Sequence, residues 1–223
     1  MNFNKDICTI CGSTEFYCNG NDHREDFRCN SCHSQTRVRY LKFVLDNSFP
    51  HWKDLIVHES SPASNTFFKN SCVNYSSSFY NLELLEGGIY DSSYNLNLEN
   101  LYLFEDNSFD LFITQDVFEH VYQPDIAFRE IQRVLKPGGA HIFTVPRSAL
   151  WKNTKFRIKL DNKEIIYIEE PIYHLGLTGT DSLVTIDYGQ DFEKVFYDWT
   201  NTTLDTNSII VNDRTIEVFI QKK

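Results

Sequence analysis

The chain has 223 residues, a formal net charge of −10, and 41% hydrophobic and 15% aromatic residues. That is enough apolar mass for one large domain with a small appendage, and it excludes global disorder. The acidic balance repels phosphate backbones and so counts against nucleic acid as a partner, and no apolar run approaches the ~18 residues of a membrane span. Met1 to Ile10 lack the basic-then-apolar order of a secretory signal, so the expectation is a cytoplasmic protein.

The N-terminal segment is organised by cysteine. Cys8-x2-Cys11 and Cys29-x2-Cys32 have the spacing of two metal knuckles, with Gly12 relaxing the first turn. In a chain without a secretory signal, zinc is the better reading than disulfides. Four thiolates close the shell, so the ion would be structural. Cys18, His23 and His33 are adjacent but are read as non-ligands.

Ser34 to Asp46 follow as a helix, with Val38, Leu41, Val44 and Leu45 at helical spacing, and Pro50 marks its end. The expected division is residues 1–50, module and linking helix, and 51–223, the main domain. Lys53 to His58 read as a buried strand, Glu59 to Ser64 as a turn, Asn65 to Lys69 as a helix and Cys72 to Tyr75 as a weaker strand. A turn at Asp106 to Phe109 leads into the strand Asp110 to Thr114. Pro124 opens a helix whose Ala127, Ile131, Val134 and Leu135 share a face. Lys136-Pro137-Gly138-Gly139 stop it, and Ala140 to Val145 form the next strand, a right-handed parallel crossover. A tail helix near Gln190 to Trp199 precedes strands Ser208 to Val211 and Thr215 to Gln221, joined by three residues as an antiparallel hairpin. Between Arg147 and Lys163 runs a basic segment, with Lys152, Lys155, Arg157 and Lys159. It reads as a solvated face or as a sleeve for an anionic small substrate.

Phe104 to Pro146 closely resemble the central motifs of class I S-adenosylmethionine-dependent methyltransferases of the type 11 group. The matching pieces are Asp106-x-Ser-Phe-Asp110, Asp116-Val-Phe-Glu119-His120 and Leu135-Lys-Pro-Gly-Gly139. The resemblance extends more weakly from about residue 53 to the C-terminus and leaves out the cysteine module. It implies an α/β, Rossmann-like fold: a seven-stranded, mostly parallel sheet with an antiparallel last strand. S-adenosylmethionine would lie across the carboxyl ends of the strands. By the same resemblance Glu59 ends the first strand, and Ser61, Ala63 and Asn65 stand where the family's turn has glycines. Ser76 falls in the serine run that would meet the ribose, Asn97 and Leu98 would face the adenine, and Gln115 and Asp116 would face the cofactor cleft. A plain surface loop is the competing reading for Ser76, and capping of the Val117 to His120 turn that for Asp116.

Methyl transfer from a sulfonium is an in-line displacement, in which protein groups orient the partners and sometimes remove a proton. His120 is the candidate base, with Asp116 beside it, against a purely structural histidine. Tyr173 and His174 lie where the resembled enzymes bind the acceptor, against a buried aromatic loop. His51, His58 and His141 read as structural. Two functions follow: methyl transfer to a small-molecule or sugar-like acceptor, or a catalytically inactive binding or assembly module whose glycine-poor turn has lost the cofactor.

Overall fold

A computed structural model describes residues 3–62, 67–148, 150–162, 164–175, 181–212 and 214–223. Strands β1 (Phe16–Cys18) and β2 (Phe27–Cys29) form a short antiparallel ribbon, and helix α1 (Thr36–Ser48) follows. Then come β3 (Ile56–Ser60), α2 (Phe67–Ser71), β4 (Asn74–Phe79), β5 (Ile89–Tyr90), β6 (Ser93–Asn95) and β7 (Phe109–Gln115). A 3-10 turn, Phe118–His120, leads to α3 (Pro124–Val134) and β8 (Leu135–Thr144). Six short strands follow: β9 (Lys155–Phe156), β10 (Ile158–Asp161), β11 (Glu164–Tyr167), β12 (Tyr173–Leu175), β13 (Asp181–Leu183) and β14 (Ile186–Asp187). Helix α4 (Phe192–Thr200) and strands β15 (Leu204–Val211) and β16 (Arg214–Lys222) complete the order.

One sheet of eight strands organises the molecule, in the order β15-β16-β8-β7-β3-β4-β6-β5. The pairs among β6, β4, β3, β7 and β8 are parallel; β16 is antiparallel to both β8 and β15. The mostly parallel sheet with its antiparallel last strand is thus present, and the expected seven strands become eight. The extra one is the two-residue edge strand β5, which turns back on β6 through Asp91 and Ser92, both at positive φ. Such a tight turn normally signals itself by Asn-Gly or Asp-Gly, and Asp91-Ser92 lacks the glycine.

Alternation along β7 explains the layers. Leu111 and Ile113 point to one face, where Tyr40, Leu41, Val44 and Leu45 of α1 cover them. Phe112 points to the other, among Phe118, Phe128, Phe143, Phe192 and Phe196 of the α3 and α4 side. Helix α1 therefore shares the core of the sheet although it precedes Pro50. Arg39, buried in that helix, lies over the rings of Phe16 and Phe27 and donates to the Phe27 carbonyl at 3.1 Å, tying ribbon to helix.

The Lys-Pro-Gly-Gly segment is drawn into β8 rather than breaking the chain before it. A Cβ on Gly139 would lie 2.9 Å from the Asp110 carbonyl oxygen, so only glycine permits this approach of β8 to β7. His58 and His141 are fully buried, as their structural reading requires. His58 bonds Ser76 and Ser78 Oγ at 2.8 and 2.9 Å, and His141 bonds Thr114 Oγ1 at 2.9 Å. Among the described residues no helix is long and apolar enough to cross a membrane.

Candidate active site

Parallel strands end together, and past the carboxyl ends of β3, β4, β6 and β7 lies a cleft of about 1190 Å³. Ser60 and Ser61 line it from β3, Asn97 and Leu98 from beyond β6, and Gln115 and Asp116 from β7. These three segments of sequence meet because a parallel sheet delivers every strand end to one edge.

Ser61 adopts φ 51, and its N–H donates to the Ser78 carbonyl at 2.7 Å. Ala63 and Asn65 lie outside the described residues. Glu59 is not on the cleft wall: it is buried beneath it, accepting from Tyr75 Oη at 2.7 Å and from Gln115 Nε2 at 2.9 Å. Burial pushes its carboxyl up to about 7, against the lowering effect of those two bonds and of Arg37.

Ser76 is likewise displaced from its expected place. It lies within β4, spends its hydroxyl on His58, and does not line the cleft. Strand β4 runs on to Phe79, further than the sequence suggested, and the residues that line the cleft after it are Phe79 to Glu83. Asn97 lines the cleft; its Oδ1 accepts from the Glu99 N–H at 3.0 Å, beside the buried Leu98.

Asp116 has φ 54 and is held on several sides. Arg24 clamps it with two bonds of 2.5 Å, Arg37 Nε lies 3.1 Å away, and Thr144 Oγ1 donates at 2.8 Å. Burial alone would raise this carboxyl, but the charges of Arg24 and Arg37 outweigh it and hold the group well below the usual carboxylate range. Arg24, Arg37 and Thr144 thus occupy both oxygens of Asp116. Arg24 and Arg37, from the ribbon and α1, wall the cleft along with Arg28, which the sequence reading missed; their clustering around Cys29 and Cys32 was the one available signal.

His120 lines the same cleft, its Nδ1 2.9 Å from the Leu183 carbonyl oxygen. Burial lowers its pKa, with partial compensation from that bond. Glu119 beside it is buried, with Oε2 lacking a hydrogen-bond partner among the described residues; burial first, and then the charge of Asp116, push its carboxyl up. His174 reaches the cleft from β12 and meets the His120 ring edge-on at 5.2 Å. Tyr173, the neighbouring residue of that strand, is exposed and does not line the cleft, since successive side chains of a strand face opposite ways.

The basic run does not form a sleeve. Arg147 pairs with Glu193 and Glu217, Arg157 pairs with Asp187, and Lys152, Lys155 and Lys159 are exposed away from the cleft. Lys163 lies outside the described residues.

In the ribbon, the sulfurs of Cys8, Cys11, Cys29 and Cys32 gather within 4.8 Å of one another. The closest pairs are 3.5 and 3.6 Å apart, near the roughly 3.8 Å expected of thiolates around a tetrahedral zinc at ~2.3 Å. The knuckles are equivalent: Gly12 and His33, each after the second cysteine of its pair, have φ 78 and 57 and donate their N–H to the carbonyls of Cys8 and Cys29. Cys18 stands apart, near His23.

Comparison with known proteins agrees with this geometry. A family model described as "Methyltransferase domain" matches residues 64–143. An S-adenosylmethionine-dependent methyltransferase from Mesorhizobium loti superposes with a TM-score of 0.52 at 11% identity, covering 81% of this chain and 96% of its own. A putative S-adenosylmethionine-dependent methyltransferase from Listeria monocytogenes gives 0.49 at 10%, covering 82% and 98%. The 1,6-didemethyltoxoflavin-N1-methyltransferase of Burkholderia thailandensis, with S-adenosylhomocysteine bound, gives 0.46 at 9%, covering 83% and 76%. No curated protein sequence matches the chain significantly. The fold is that of the class I S-adenosylmethionine-dependent methyltransferases. Residues 64–143 are similar to the methyltransferase-domain model of the type 11 group.

Proposed function

We propose that the chain transfers a methyl group from S-adenosylmethionine to a small-molecule acceptor in the cytoplasm, and that a structural zinc ion on Cys8, Cys11, Cys29 and Cys32 holds the ribbon against the cleft. The observation that carries this reading is the convergence of Ser61, Asn97, Leu98, Gln115 and the Glu119–His120 corner on one cleft at the carboxyl edge of the sheet. Its volume, about 1190 Å³, exceeds the ~300–1,000 Å³ of single-ligand pockets and leaves room for an acceptor beside a cofactor.

The cofactor supplies an electrophilic methyl group on a sulfonium. The chain supplies the rest. Asn97 offers an amide oxygen to an exocyclic amine, and Leu98 an apolar wall. Asp116, pinned by Arg24 and Arg37, fixes the backbone where β7 leaves the sheet. His120 is the group placed to handle a proton leaving the acceptor: with Nδ1 committed to the Leu183 carbonyl, Nε2 is the free acceptor in the cleft. His174 borders the acceptor side.

Calorimetry of the zinc-loaded protein with S-adenosylhomocysteine tests the reading. Ligand at ~100 times its dissociation constant should stabilise the fold by ~2.7 kcal/mol, and Asn97→Leu should weaken binding. Absence of any heat or thermal shift with millimolar S-adenosylmethionine and S-adenosylhomocysteine would leave the inactive assembly module as the better account.

A further inference from the structure

One corner of the cleft gathers three metal-competent side chains outside the four-cysteine cluster. Glu119 and His120 come from the 3-10 turn after β7 and His174 from β12, and their ligand atoms all lie within 4.8 Å of one another. The histidine is already oriented. A carbonyl oxygen only accepts, so the 2.9 Å contact with Leu183 places the hydrogen on Nδ1 and leaves the Nε2 lone pair free. Nε2 lies 3.8 Å from Glu119 Oε1, too far for a hydrogen bond between them. Glu119 is 3% exposed, and its Oε2 has no partner among the described residues. A buried carboxyl oxygen without a donor lacks the compensation that burial demands, and a cation supplies it.

We propose that Glu119, His120 and His174 hold a divalent first-row transition-metal ion in the cleft. Two imidazoles and one carboxylate suit such an ion and leave coordination positions open to solvent. The backbone bond to His120 Nδ1 is the outer contact that fixes a ligating imidazole. Adjacent ligand atoms around an ion at ~2.1 Å stand roughly 3–3.4 Å apart, so the observed 3.8 Å closes with a small side-chain rotation. Asp116 takes no part, since Arg24, Arg37 and Thr144 occupy its oxygens. On the methyl-transfer reading, the ion would bind an acceptor hydroxyl and lower its pKa, so that the proton leaves to solvent through the open cleft while His120 serves as a ligand.

The full-length, zinc-loaded protein is titrated with Mn²⁺ and followed by electron paramagnetic resonance. Mn²⁺ prefers nitrogen and oxygen donors, so the thiolate site does not compete. One equivalent should bind, and both His174→Ala and Glu119→Gln should bind at least roughly tenfold more weakly. His174 is on the surface, so its variant keeps the test intact if Glu119→Gln does not fold. No binding by the wild type, or unchanged binding in folded His174→Ala, overturns the proposal. S-adenosylhomocysteine binding measured on the same samples separates the two readings: cofactor without Mn²⁺ refutes only the metal site, and Mn²⁺ without cofactor refutes only the transferase.

Discussion

Glu59 shows how a residue in the right place by sequence can have a different job. It ends the first parallel strand, as read, yet its side chain turns under the cleft to join Tyr75 and Gln115. With its folded pKa raised from 4.5 to about 7 by burial, it keeps a proton that the unfolded chain has released. The folded state binds more protons through that window, so this residue's contribution to stability is full below about pH 4.5 and is lost as pH rises to about 7. The loss should total about 3 kcal/mol. His58 and His141 act in the opposite sense: burial holds both near 3, so they cost stability as pH falls below 6.5. Comparing variant with wild type isolates Glu59. Urea unfolding of Glu59→Gln should gain on the wild type steadily between about pH 4.5 and about pH 7. Parallel profiles for the two proteins would refute the buried proton.

At the scale of elements, Ser61 at the end of β3 is held by its surroundings rather than by its own preference. A non-glycine residue at positive φ costs roughly 1–2 kcal/mol in the left-handed region, and Ser61 sits there at φ 51, anchored on Ser78. Ser61→Gly should therefore raise the unfolding free energy by roughly 0.5–1 kcal/mol after the added chain entropy of glycine, and Ser61→Val should lower it by about 1–2 kcal/mol. Chemical denaturation of the pair decides: a destabilising glycine would mean the backbone at Ser61 is unstrained. Strand phase and strand length explain two other departures. Tyr173 and His174 share a strand but not a face, and β4 outruns its apolar start through Ser76, Ser77 and Ser78, whose hydroxyls are satisfied inside the sheet.

For the whole molecule, the cysteine module and the sheet act as one body. Arg39 ties the ribbon to α1, α1 covers Leu111 and Ile113, and Arg24 and Arg37 reach Asp116. Removing zinc should therefore loosen more than the ribbon. Chelation is expected to lower the melting temperature and to weaken S-adenosylhomocysteine binding. Arg24→Met, which strands the buried Asp116 carboxylate with fewer partners, should cost about 3 kcal/mol. Thermal unfolding that ignores the chelator would show that the four sulfurs hold no structural ion.

Local patterns were sufficient for much of this protein. Cysteine spacing marked the knuckles, helical periodicity marked α1 and α3, and Asp116 to His120 with Leu135 to Gly139 marked the methyltransferase class, because each signal lies within a few turns of chain. Short-range information could not say that Arg24 would cross to Asp116, 92 residues away, or that His174 would meet Glu119 and His120. Those contacts exist only when the sheet stacks its strand ends on one edge and the ribbon packs over them. Their energies come from burial and paired charge, which are properties of the assembled fold.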